Sequence, residues 1–236
     1  LSVAGNFKRE EMLALLNHYF GRWQAKAPYA PLETKASYHQ SWIQKKKDVE
    51  QLHTCIAFEG LEREHPLKYA MAIFNTVFGG GMSSRLFQKI REEQGLTYSI
   101  YSYTTAFADT GLFSIYASMN PSQAEAVYKG IAAEIAAVRK EGISEKILNV
   151  TKEQMISNFI IGSESTLNRM TAAGSAMLLR GKVQEMEEVI EKIEAVTQKD
   201  LAEVAELIFA NPKMSYSAVG NLKGVDFANT VEKLFS

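Results

Sequence analysis

The chain has 236 residues, of which 46% are hydrophobic and 22% charged, an ordinary balance for a protein that builds a sizeable core. Lys+Arg 26 against Asp+Glu 27 leaves a net charge of -1, which speaks against nucleic acid as a partner. No apolar run approaches the roughly 20 residues that a membrane span needs, so no membrane partner is expected.

Leu1 opens a strand-like LSVAG with no basic region before it, so no secretory leader is expected. The single cysteine, Cys55, sits in an apolar run and cannot form an internal disulfide, which suits a reducing compartment. Cytoplasmic residence is therefore expected.

The two ends of the chain match. Ser2–Gly21 (SVAGNFKREEMLALLNHYFG) and Ser217–Ser236 (SAVGNLKGVDFANTVEKLFS) align without a gap, pairing Gly5 with Gly220, Asn6 with Asn221, Lys8 with Lys223 and Phe20 with Phe235. Each reads as a short strand, a Gly-Asn turn and an amphipathic helix, the signature of a duplicated domain. Residues 1–21 are then the last strand and helix of a first copy. Residues 22–46, which include Pro28 and Pro31, read as a linker, and 47–236 as the second copy. The parent would be roughly twice a domain of about 200 residues.

Gln51 to Phe58 alternates as a strand, and Pro66 to Phe78 carries Leu67, Met71, Phe74 and Phe78 at helical spacing. His65 before Pro66 reads as a cap or a surface residue. The helical pattern stops at Gly79, Gly80 and Gly81, a triple glycine that suggests positive φ angles and a flexible loop of close approach. A short helix is expected from Ser83 to Glu93, stopped by Gly95, followed by a strand containing Tyr98. Thr97–Phe107 and Gly111–Met119 should form a hairpin. Asn120-Pro121-Ser122 opens a helix to about Lys140, and a helical block from Ser144 to Ala210 should break at Gly162 and Gly181, with Thr197 capping its last piece. Met214–Val219 returns as a strand. The fold class is α+β, helices layered on a mostly antiparallel sheet.

Most catalytic signatures fail. Of four histidines, none pairs with another at ligand spacing, and Leu61-Glu-Arg-Glu-His65 has leucine where H-x-x-E-H needs histidine. Neither a phosphate loop nor G-x-S-x-G is present. Tyr98, Tyr101, Tyr103 and Tyr116 read as cross-strand packing ahead of a stacking platform for bases. Taken alone, Arg91 is a solvated helix charge and Tyr98 a half-buried strand residue.

Together with their surroundings they say more. From Asp48 through FGGGMSSRLF to REEQGLTYS, with Arg91 and Tyr98 in an R-x-x-x-x-x-x-Y spacing, the sequence resembles the C-terminal half of pitrilysin-type zinc metallopeptidases, nearest the processing-peptidase and bacterial branch. The resemblance covers essentially the whole chain. It implies a duplicated domain closing as a clamshell, with zinc held by the N-terminal copy and no metal held by this chain. It also implies that Arg91 and Tyr98 serve catalysis, that Gly79, Gly80 and Gly81 touch substrate, and that this half alone is inactive. The expected partners are a peptide or unfolded protein substrate and either the chain's own N-terminal half or a zinc-bearing partner subunit, with a dimer left open. The other reading the resemblance allows is a non-catalytic partner subunit or structural core-protein homologue.

Overall fold

The computed structural model describes residues 1–24, 36–210, 213–222, 231 and 233–234. Lys223 and Phe235 of the matched ends lie outside the described residues, as does much of the stretch read as a linker. Two compact units are present: Leu1–Lys35 with Ser157–Glu185, and Ala36–Ile156 with Met186–Ser236.

In the first unit, α1 spans Arg9–Phe20. The LSVAG segment before it is not a strand, contrary to expectation. No neighbouring strand lies among the described residues of this unit to take its backbone hydrogen bonds. Instead Ser2 Oγ donates to the Met170 carbonyl at 2.7 Å, and Gly174 leaves room where a Cβ would come within 2.9 Å of Ser2 Cβ. The matched glycines nevertheless share one backbone geometry, φ +148° at Gly5 and +146° at Gly220.

The second unit holds the sheet. Its strands are β1 (Trp42–Lys46), β2 (Leu52–Gly60), β3 (Ser99–Ala106), β4 (Gly111–Met119) and β5 (Met214–Gly220). Their spatial order is β1-β5-β2-β4-β3. All pairings are antiparallel except β1 with β5, so the mostly antiparallel expectation holds. Strand β1 was not anticipated: it lies in the stretch read as linker, its five residues are all exposed, and Trp42 pairs with the distant Tyr216.

The helices are α2 (Lys68–Phe78), α3 (Ala124–Glu141), α4 (Glu145–Glu164), α5 (Thr166–Arg180), α6 (Met186–Glu194) and α7 (Gln198–Phe209). His65 starts α2 by accepting the Leu67 amide on Nδ1 at 3.1 Å. The Thr197 hydroxyl accepts from Asp200 N while the Asp200 carboxylate accepts from Thr197 N, a capping box. Gly162, expected to break the helical block, lies inside α4; Ser165 caps α5, and Gly181 ends it with φ +72°. A glycine within a helix costs only about 1 kcal/mol, so it does not by itself end one.

Alternation explains the core. Leu52, Ile56 and Phe58 of β2 and Phe113, Ile115, Ala117 and Met119 of β4 turn to one face and are buried. There Phe58, Phe113, Phe74 and Phe78 of α2 and Phe209 of α7 interlock, with ring centroids 5.1–6.1 Å apart. Each such ring contributes on the order of 1.5–3 kcal/mol when fully buried. No helix among the described residues is long and apolar enough to cross a membrane.

Candidate functional site

Helix α2 ends on the triple glycine, and the structure gives each glycine a different reason. None of the three has a positive φ, which corrects the expectation of left-handed turns. Gly79 is buried against β3: its carbonyl accepts the Ser102 amide at 2.9 Å, and a Cβ on it would lie 2.5 Å from Ser102 N and Oγ. Gly80 is hemmed in by the last turn of α2, where a Cβ would meet Thr76 Cα at 2.8 Å. Only Gly81 is both exposed and unobstructed. The loop is fastened further by Ser102 Oγ, which donates to Asn75 Oδ1 at 2.8 Å.

The following helix is irregular. Residues Phe87–Glu92 are wound as a π-helix, with Glu93 N donating to Gln88 O at 2.9 Å. Its end is closed by Gly95 N to Arg91 O at 3.0 Å and Leu96 N to Ile90 O at 3.1 Å. Each bond spans one residue more than its counterpart in a Schellman close. Gly95 takes φ +63° to make that turn, so it stops the helix as expected. Within this segment Arg91 is half-buried, its guanidinium carbon 4.7 Å from the centre of the Phe87 ring. Such a cation–π contact restrains the fork and leaves its N–H donors unspent.

Tyr98 sits one residue before β3. Its amide donates to the Ser118 carbonyl at 2.9 Å, although Ser118 is the register partner of Ser99. The strand is thus entered off register. Tyr98 is 71% exposed, whereas Ile100 and Ser102 further along β3 turn inward and are buried. Among the described residues neither Arg91 nor Tyr98 has a side-chain hydrogen bond or ion pair, with each other or with any other group. The backbone between them is irregular, a π-turn on one side of Gly95 and an off-register hydrogen bond at the entry to β3 on the other.

The open face of the sheet carries the other tyrosines. Tyr101 pairs with Tyr116 across the strands, ring centroids 5.0 Å apart, and Tyr116 OH lies 2.7 Å from His53 Nδ1. Cys55, half-buried rather than fully enclosed, has its sulfur 3.7 Å from Tyr103 OH. Burial first, and the Cys55 contact second, push the Tyr103 phenol up from its ordinary value. This is the cross-strand packing that the sequence suggested.

Residues 1–155 match the family model described as the peptidase M16 inactive domain. This chain belongs to the peptidase M16 family. Among curated relatives, an uncharacterized zinc protease of Bacillus subtilis is 36% identical over 209 residues, covering 89% of this chain and 51% of the relative. An uncharacterized zinc protease of Streptomyces coelicolor is 37% identical over 177 residues, covering 75% of this chain and 38% of the relative. The chain thus spans about half or less of these proteins' length. Among solved structures, a peptidase M16 inactive domain from Pseudomonas fluorescens superimposes with a TM-score of 0.80 at 22% identity, over 92% of this chain and 52% of that one. That likeness shows the fold.

Among the described residues no three His, Cys, Asp or Glu side chains gather where a metal could be held. Two features of the domain escaped sequence reasoning. One is the Asn75–Ser102 clasp on the glycine loop. The other is an ion pair of Arg85 Nε with Glu134 Oε2 at 2.9 Å, between the glycine loop's helix and α3. Arg85 stood inside the FGGGMSSRLF run, but nothing in its spacing pointed to a partner in α3.

Proposed function

We propose that this chain is the half of a zinc-dependent endopeptidase or oligopeptidase that grips the substrate without holding the metal. In this reading Arg91 and Tyr98 donate hydrogen bonds to the scissile carbonyl as it becomes an oxyanion. The observation that carries it is the pair of irregularities flanking Gly95. A π-turn precedes Gly95 and an irregular entry to β3 follows it, and among the described residues no side-chain partner takes up the donors of Arg91 and Tyr98. Donors fixed in advance where charge develops lower the barrier, because they interact more strongly with the transition state than with the ground state. Arginine suits the task because its fork stays charged. Exposed Gly80 and Gly81 offer backbone to an extended peptide, while Gly79 anchors their loop.

Zinc, and whatever activates the attacking water, belong in this reading to an N-terminal half or a zinc-bearing partner subunit. The curated relatives named zinc proteases, about twice this chain's length, support that division. The test uses the full-length protein with a quenched fluorogenic peptide. Arg91→Ala and Tyr98→Phe should each lower kcat on the order of 10²–10³-fold, with zinc content by atomic emission unchanged. Turnover at the wild-type rate in either variant refutes the role of that residue.

A further inference from the structure

We propose that Arg85 and Glu134 are positioning residues that aim Arg91, an inference that rests on the role given to Arg91 above. The helix bearing Arg91 is short, and its last six residues, Phe87–Glu92, are π-wound. A segment so short and irregularly bonded does not fix its own rotation. Its packing against neighbouring elements does, and on the α3 side contacts fall on successive turns of α3. At Gly130 the helices approach so closely that a Cβ would come within 3.2 Å of Ile90 Cγ1, and Ile90 is fully buried. One turn later Glu134 accepts from Arg85 Nε at 2.9 Å, and Glu141 adds a second carboxylate 3.8 Å from Arg85 Nη2.

Ile90 is the chain neighbour of Arg91, so any roll of the helix about the Ile90 contact swings the guanidinium. The Arg85–Glu134 pair lies on the same helix and opposes that roll. It is unlike the helix-surface pairs nearby. Lys89–Glu93 and Lys129–Glu125 join residues one turn apart with side chains 48–64% exposed. Arg85 and Glu134 join two elements with side chains 25% and 13% exposed. Exposed pairs of the first kind restrain little, whereas a sheltered pair between elements holds a geometry. A shift of about 1 Å at a catalytic group can cost on the order of 10²-fold in rate.

The experiment measures kcat and KM for full-length Arg85→Ala, Glu134→Ala, the double variant and Arg91→Ala. Amide hydrogen exchange is followed in parallel on the same proteins without substrate. Each single variant should lose roughly 10- to 10²-fold in kcat with KM near wild type, and the double variant should lose no more than the worse single one, as members of one unit do. Arg85→Lys should restore part of the rate. Exchange should quicken at Leu86–Tyr98 and not at β2 or β4. Arg139→Ala, which breaks the α3–α7 pair with Glu206 at 3.0 Å, serves as the structural control and should leave kcat unchanged.

Wild-type kcat in Arg85→Ala or Glu134→Ala, beside an impaired Arg91→Ala, overturns the inference and spares the proposed role of Arg91. Losses that multiply in the double variant, or that Arg139→Ala reproduces, overturn it as well. Wild-type kcat in Arg91→Ala takes both down.

Discussion

Gly79 shows how much a single missing side chain can decide. Its backbone lies flush with β3, and a methyl group there would sit 2.5 Å from the Ser102 amide nitrogen, which belongs to a strand that cannot retreat. Gly79→Ala is therefore expected to cost about 1–3 kcal/mol by overpacking, read as a lower urea midpoint with an unchanged m-value. Gly81→Ala meets nothing within 4 Å and should stay within about 0.5 kcal/mol of wild type. Equal midpoints for the two variants would dismiss the packing explanation. The sequence announces three glycines in a row; it does not announce that the first is needed for contact with a strand more than twenty residues later. Glycine's type signals freedom, and only the fold reveals which freedom is used.

At the scale of elements, α3 and β5 meet through Tyr128 and Tyr216, whose hydroxyls lie 2.9 Å apart in the core. Burial pushes the Tyr128 phenol up to about 12, and burial together with the neighbouring phenol pushes Tyr216 up further still. The folded protein thus holds these protons at a pH where the unfolded chain has released them. Stability is complete below the ordinary tyrosine value near 10 and declines as pH rises through and beyond it, by as much as about 1.4 kcal/mol per pH unit for each group. Tyr128→Phe should remove the Tyr128 share, so that urea midpoints of wild type and variant converge between pH 10 and 12. Parallel curves would contradict the linkage.

The elements themselves differ in how far local sequence betrays them. The hairpin, the capping box at Thr197 and the stop at Gly95 rest on nearby residues and were foreseeable. Strand β1 was not, because it is exposed along its whole length and owes its existence to β5 at the other end of the chain. The π-turn and the off-register entry to β3 were hidden for a related reason. A shift of one residue changes hydrogen-bond partners without changing composition, so the motif around Arg91 and Tyr98 left the presentation of those side chains unstated.

At the scale of the molecule, the first unit leaves apolar surface open. Trp23 is 74% exposed, Leu167 65% and Leu178 88%. Exposed apolar surface is what a second half would cover. If an N-terminal half completes the protein, as proposed, the chain alone should bind a hydrophobic dye and hydrolyse no peptide. Co-expression with that half should quench the dye signal and restore hydrolysis. Undiminished dye binding in the complete protein would mean that another surface meets the second half.

A sheet has two margins, and both are guarded here. On β3 the middle of the free margin is occupied, since the Ser102 amide already bonds to Gly79. On β1 the margin is only five residues long and ends in Lys45 and Lys46, both exposed. Short margins with lysines, or with their amides engaged, make poor templates for a foreign strand. A lobe proposed to meet extended polypeptides at close quarters thereby offers them, and further copies of itself, a narrower margin on which to start a fibril.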